Sequence, residues 1–373
     1  METLLPVTLL TGFLGAGKTT VLNAVLSGKQ GPRIAVIVNE FGDVGLDHDL
    51  VQGTTEDVVL MAAGCICCSI RGDLSKTLND LLDRRAAGAL NFERIVIETT
   101  GLADPGPVHH TLLVDRTLAP RVALDGIITV VDMVLGAQTL ERYSEAEAQV
   151  AMADRIVLSK NDLAAAPERR ALNKRLDKLN AAAPRLVANK GGLPSDSLFN
   201  VSALRQAPTH EKALAWLAPV EKSQTTDPLA GLSGLTLPSK APIDHLLQPV
   251  SSSHNRIATA SITLETPISP RVFDLWLDTL VALRGPDILR LKGIVHLEGI
   301  GTPFVFHGVQ HIFEPPLPLA SWPEGKTQSS VVIIARNFDQ AELEACLALL
   351  SKSAEDLRKT AGITTHLLET EEL

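Results

Sequence analysis

Eight residues near the amino terminus, Gly12-Phe13-Leu14-Gly15-Ala16-Gly17-Lys18-Thr19, narrow the fold of this chain to one class. They follow a strand-like run, Val7 to Thr11, and precede a stretch of helix formers, which is the setting in which G-x-x-x-x-G-K-[ST] cradles phosphate. The glycines let the backbone wrap so that successive N–H groups point inward, and the following helix adds the positive end of its dipole. Lys18 then supplies a point charge to the β- and γ-phosphates, the Thr19 hydroxyl sits on Mg²⁺, and Thr20 continues the helix behind the loop. A nucleoside triphosphate is the expected ligand.

From Val7 to about Ser202, short β-rich runs alternate with longer helical ones, as βα units of a mostly parallel sheet do. Strands are predicted at Val7 to Thr11, Ile34 to Asn39, Val58 to Ala62, Arg94 to Glu98, Gly126 to Asp132, Arg155 to Ser159 and Leu198 to Ser202. Helices are predicted at Lys18 to Leu26, Asp73 to Ala86 and Glu168 to Asn180. Val220 to about Pro249 is rich in Ser, Thr, Pro and Gly and reads as a linker. Beyond His254 the order is strand (Ile257 to Leu264), helix (Pro270 to Leu283), two strands (Leu289 to Glu298, Phe304 to Phe313), strand (Ser330 to Arg336) and helix (Gln340 to Leu350), an α+β unit with one antiparallel sheet. Ser269 before Pro270, and Asp339 three residues before Glu342, mark its helix starts. The expected fold is α/β: a P-loop NTPase domain with a mostly parallel sheet over 1–219, a linker over 220–253 and a smaller α+β domain over 254–373. The 373 residues suit that division, since each part is long enough to bury a core.

Further chemistry sits at the ends of the predicted strands. Glu98-Thr99-Thr100-Gly101 follows the apolar Ile95-Val96-Ile97, so Glu98 is placed to orient Mg²⁺ or its water, unless it is only a solvated strand end, and Gly101 lets a backbone N–H approach the γ-phosphate. Ser159-Lys160-Asn161-Asp162 resembles the [NT]-K-x-D guanine signature with Ser in the first place. Asp162 would accept from two adjacent donors on a base edge, which guanine has and adenine lacks, with Lys160 lying along the purine or the loop. Ser202-Ala203 is a weaker resemblance to a fifth GTPase motif.

Three of the four cysteines fall in Gly64-Cys65-Ile66-Cys67-Cys68. Three thiolates within one turn suit Zn²⁺, Co²⁺ or Cu(I), with a fourth position for Glu40, the pair His109-His110 or water; a redox thiol pair and plain structural cysteines are the alternatives. Cys346 sits in an apolar helical pattern as a small hydrophobe.

Composition removes other classes. The net charge of −9, with only the short basic pairs Arg84-Arg85 and Arg169-Arg170, and an aromatic content of 3% with a single Tyr, leave no platform for nucleic acid. The best apolar runs, Ile127 to Val131 and Val331 to Ala335, are strand-sized, so no membrane partner is expected. Met-Glu-Thr-Leu-Leu-Pro lacks a basic n-region, and a cytoplasmic location is expected.

Taken in order, Thr11 to Thr20, Asn39-Glu40-Phe41-Gly42, Gly64 to Cys68, Glu98 to Pro105 and Ser159 to Asp162 resemble the signature set of the CobW-type metallochaperone GTPases. In the second half Leu289-Arg290-Leu291-Lys292-Gly293 and Trp322-Pro323 resemble the accessory domain of that family. The resemblance implies a slow GTPase that uses GTP and Mg²⁺, holds zinc, or cobalt on the same donors, at Cys65, Cys67, Cys68 and Glu40, and delivers it to a client metalloprotein. A homo-oligomer is compatible with this. Two departures stand out: Val220 to His254 holds only His245 and His254 where many relatives are histidine-rich, and the base motif begins with Ser. The rival functions are a metal sensor or buffer with a structural nucleotide site, and a P-loop kinase of small molecules.

Overall fold

A computed structural model describes residues 4–27, 33–38, 58–62, 70–188, 192–193, 198–201, 257–319 and 328–352, with backbone alone for 58–62 and 70–73. The first unit is built on seven parallel strands: β1 (Leu5–Thr11), β2 (Ile34–Val38), β3 (Val58–Ala62), β4 (Arg94–Glu98), β5 (Val122–Asp132), β6 (Arg155–Ser159) and β7 (Arg185–Val187). Their order is β3-β2-β4-β1-β5-β6-β7, which puts β1 and its phosphate loop at the centre. Helices α1 (Lys18–Leu26), α2 (Ile70–Ala86), α3 (Gly106–Val114), α4 (Gly136–Arg142), α5 (Ser144–Ala151) and α6 (Ala166–Asn180) complete it.

Nearly continuous apolar strands dictate this layering, because a parallel strand is covered on both faces. Side chains alternate by period two, so Val7, Leu9, Ala35, Ile37, Ile95 and Ile97 pack on one side with Leu74, Leu78 and Leu81 of α2 and Leu112 of α3. Leu10, Val36, Val96, Ile128 and Val130 pack on the other with Val21, Leu22 and Val25 of α1.

Six of the seven strands expected in this half are present, and one differs. Leu198 to Val201 is not a strand; Asn200 takes φ +56 and donates its N–H to Asp125 (2.9 Å), and Phe199 lies under the Arg94 guanidinium, 4.4 Å away. Leu198, Phe199 and Val201 are apolar because they cover one sheet face in the core, while the edge place next to β6 is taken by β7, whose three residues are too short to read as a strand from sequence. Ser202, and the stretch read as a linker, lie outside the described residues.

The second unit is an antiparallel sheet of β8 (Ile257–Leu264), β9 (Ile288–Val295), β10 (Phe304–Val309), β11 (Ile312–Phe313), β12 (Leu317–Pro318) and β13 (Ser329–Arg336), in the order β11-β10-β9-β13-β8 with β12 on β10. Helices α7 (Pro270–Arg284) and α8 (Gln340–Ala348) bury Phe273, Trp276, Leu280, Leu343 and Leu347 against it. The capping box at α8 forms as expected: Glu342 N–H donates to Asp339 Oδ1 (2.8 Å) and Asp339 N–H to Glu342 Oε2 (2.9 Å). Leu289, Val309 and Ile334 turn the other way and join the core of the first unit beside Ala148 and Met152. Between these apolar contacts Arg290 and Lys292, two apart on β9 and so on one face, both reach Asp154 at the foot of β6, Lys292 at 3.5 Å. Arg290 also donates to the Met152 carbonyl just beyond α5.

Candidate functional site

The phosphate loop leaves β1 at Thr11 and enters α1 at Lys18. Gly12 holds φ +145, and a Cβ there would stand 2.3 Å from the Val130 carbonyl oxygen, so the loop crosses β5 at a distance that only glycine permits. Gly17 at φ +92 begins α1 without a side-chain cap, which leaves first-turn N–H groups for an anion. Lys18 is buried and donates from Nζ to the Gly12 carbonyl (3.1 Å), so its ammonium lies over the curl of the loop. Thr20 is exposed on the first turn.

Thr19 donates its hydroxyl to Glu98 Oε1 at 2.8 Å. Adjacent oxygens of an octahedral Mg²⁺ site, each about 2.1 Å from the ion, are about 3.0 Å apart, so this pair has the donor type and close to the spacing that Mg²⁺ takes. After Glu98 the chain is fixed to the phosphate loop. Thr99 N–H donates to Leu10 O (2.9 Å) and its hydroxyl to Thr11 Oγ1 (2.8 Å), while a Cβ on Gly101 would come within 2.6 Å of the Leu14 backbone nitrogen. The turn Gly101 to Ala103 therefore sits directly against Leu14.

The base motif is tied to the same loop. Ser159 donates from Oγ to Ala16 O (2.6 Å), and Lys160, with φ +54, donates from Nζ to Gly15 O (2.7 Å) and to Asp132 Oδ2 (2.7 Å). Serine in the first place thus ties the motif to the phosphate loop, and Lys160 lies across the loop toward β5. Asp162 is exposed just beyond, available to a base. Phe13 packs on Tyr143 with ring centroids 4.5 Å apart and braces the outer side of the loop.

Glu40, Cys65, Cys67 and Cys68, like His245 and His254, lie outside the described residues; the strands that lead to the first four do not. Val38, the last residue of β2, pairs in register with Ala62, the last of β3, and with Glu98, the last of β4. The chain therefore departs toward Glu40 and toward the thiol motif from adjacent strand ends, level with Glu98 and on the edge that carries the phosphate loop.

His109 and His110 stand elsewhere. His109 is buried on α3 where the second sheet meets it; burial and the neighbouring His307 and Arg290 hold its pKa down at about 4, against the pull of Glu314 and Asp154. The His110 ring faces His311 with centroids 5.5 Å apart. Two side chains that contact the candidate site escaped the motifs: Asp132, the partner of Lys160, and Gln149 on α5, which donates from Nε2 to both Gly101 O (3.2 Å) and Ala103 O (2.9 Å). Asp132 is the carboxyl end of a predicted strand, a position with a signal; Gln149 has none in its spacing.

Residues 6–187 match the family described as "CobW/HypB/UreG, nucleotide-binding domain", and residues 257–350 match "Cobalamin synthesis protein cobW C-terminal domain". The chain is 33% identical to the zinc chaperone YjiA of Escherichia coli, over 93% of its own length and 98% of that protein. It is 31% identical to the zinc-regulated GTPase metalloprotein activator 1 of Schizosaccharomyces pombe, over 89% and 82%. The crystal structure of Zn(II)-bound YjiA GTPase superposes with a TM-score of 0.68 at 30% identity, covering 94% of this chain and 100% of that one.

Proposed function

Because the chain belongs to the CobW family, with the nucleotide-binding domain and the C-terminal domain both present, we propose that it is a GTP-hydrolysing metallochaperone that carries zinc at Cys65, Cys67, Cys68 and Glu40 and gives it to a client metalloprotein. The observation that carries this is the register at the sheet edge. Val38, Ala62 and Glu98 end side by side, so the segments bearing the proposed metal ligands leave the sheet beside the Thr19–Glu98 pair and the phosphate loop. A nucleotide that moves the loop after Glu98 would then act beside the strand ends from which those segments leave.

In this proposal the N–H groups of Gly12 to Thr19 and the Lys18 ammonium bind the phosphates, and Lys160 and Asp162 orient the base. Thr19 and Glu98 hold Mg²⁺, which would neutralise charge on the transferring phosphoryl group. Gly101 brings its backbone against the γ-phosphate side, and loss of that phosphate releases the loop. By linkage, nucleotide alters metal affinity and metal alters nucleotide affinity by the same factor. The thiolates accept cobalt as well as zinc. The division into 1–219, a linker over 220–253 and 254–373 belongs to the same proposal, as does work in the cytoplasm without membrane or nucleic-acid partners. Among the described residues no helix is long and apolar enough to cross a membrane.

The test is a chelator-competition titration of Zn²⁺ and Co²⁺ against the full chain, nucleotide-free, with Mg²⁺ and a non-hydrolysable GTP analogue, and with Mg²⁺ and GDP. The expected result is a tenfold or larger change in metal affinity between nucleotide states, about 1.4 kcal/mol of coupling, which disappears in Cys67→Ala. Three coincident curves for the wild type would overturn gating by GTP.

A further inference from the structure

Resting on the function proposed above, we infer that Gln149 is a positioning residue for GTP hydrolysis: its side-chain amide sets the Gly101–Ala103 turn against the phosphate loop. Gln149 is 1% exposed on a helix whose other buried residues are Ala146, Ala148, Val150 and Ala151, so an amide stands where the packing calls for an apolar side chain. Such a group is retained in a core only when its hydrogen bonds matter. Both of its neighbours are carbonyl oxygens, Gly101 O and Ala103 O, which fixes the orientation: the NH₂ faces the turn and spends both protons on it, bracketing Leu102.

The amide is also anchored from behind. Thr129, in the middle of β5, donates its hydroxyl to the Gln149 backbone carbonyl at 2.7 Å, and Arg290 of the second sheet holds the Met152 carbonyl just past the end of the same helix. Gln149 thus ties the turn to the strand that Gly12 crosses at its carbonyl of Val130. The distance between turn and phosphate loop, which at Gly101 leaves no room for a Cβ against Leu14, is set from both sides. The Ala103 N–H is spent on Thr100 O (3.1 Å), so a turn held this way presents the Gly101 N–H to a γ-phosphate without reorganising at the moment of reaction. GDP lacks that phosphate and would be bound by the loop and the base motif, whereas the hydrogen bonds of the Gln149 side chain go to the turn.

The full chain is tested as wild type, as Gln149→Met, which keeps length and removes both donors, and as Gln149→Glu, which sets a carboxylate against two carbonyls. Single-turnover hydrolysis at saturating GTP and the affinities for GDP and GTP are measured with Mg²⁺. Turnover is expected to fall tenfold or more in both variants while GDP affinity stays within twofold of wild type. Thr129→Val, which loosens only the anchor, gives an intermediate fall and serves where a Gln149 variant does not fold. Turnover within twofold of wild type in the variants, or GDP affinity falling by the same factor as turnover, overturns the inference. A wild-type chain that binds GDP but hydrolyses no GTP overturns the functional proposal instead, and equal GTP affinity in wild type and Gln149→Met then overturns this one as well.

Discussion

A Cβ on Gly101 would meet the backbone of Leu14, with its nitrogen at 2.6 Å and its Cα at 2.7 Å, whereas one on Gly15 would meet nothing within 4 Å. The two glycines therefore fail differently. Gly101→Ala must push the turn off the phosphate loop and is expected to cut GTP turnover at least tenfold, with a loss of about 1–3 kcal/mol in urea unfolding. Gly15→Ala strains only a φ of +69, costs about 1 kcal/mol and leaves the turn in place. Equal turnover in the two variants would show that the contact with Leu14 plays no part. At this scale the motifs brought out the described part of the candidate site: Lys18, Thr19, Glu98, Gly101 and Lys160 stand together, because each is attached to a strand end whose position the parallel sheet fixes. Gln149 was illegible because its partners are backbone carbonyls, which carry no residue type, and because it acts from a helix 46 positions away from Ala103.

Elements followed the same division between local and distant causes. The helix α8 announces itself by Asp339 and Glu342, and the reciprocal bonds between them are formed. Removing the acceptor in Asp339→Ala should lower stability by about 1 kcal/mol in thermal unfolding without touching GTP turnover, since α8 buries Leu343 and Leu347 on its own sheet and none of these residues belongs to the phosphate loop or the turn after Glu98. A change in turnover larger than the stability loss explains would contradict that placement. The helices α3, α4 and α5 and the strand β7 were not foreseen. The last two helices and the strand, of seven, eight and three residues, give periodicity too little to repeat, and their positions are set by the sheet they pack on. The apolar run at Leu198 to Val201 was misread for the converse reason: a segment that fills a core looks like a strand whether or not an edge is open to it.

Across the whole molecule the two units share a buried polar seam of Asp154, Arg290, Lys292, His109, His307 and Glu314. Burial, reinforced by the neighbouring Arg290, lowers the Lys292 ammonium to about 7, while Arg290 and Lys292 outweigh burial at Asp154 and hold it at about 2. His109, lowered from 6.5 to about 4, makes stability depend on pH. Below pH 6.5 the unfolded chain takes up a proton that the folded chain refuses at this position, so the His109 contribution is complete above that value and is lost as pH falls toward 4. Glu147, raised by burial, works in the opposite sense, and Glu314 and Asp154, both lowered, lose their contributions only below the ordinary carboxylate range. Urea unfolding is therefore expected to weaken by about 2–3 kcal/mol between pH 6.5 and 4.5 in the wild type, and by markedly less in His109→Gln. An identical pH slope in the variant would move the effect to another group.

That seam bears on heredity as much as on stability. A charged pair on β9 and its counter-ion at the foot of β6 are each a liability alone, and Leu289, Val309 and Ile334 would become an exposed apolar face if their unit were borrowed by another protein. Recombination that shuffles domains as interchangeable modules would meet a penalty at this boundary. The second unit is thus bound to travel with its own nucleotide domain, and a substitution on either side of the seam constrains which substitutions the other side can accept next.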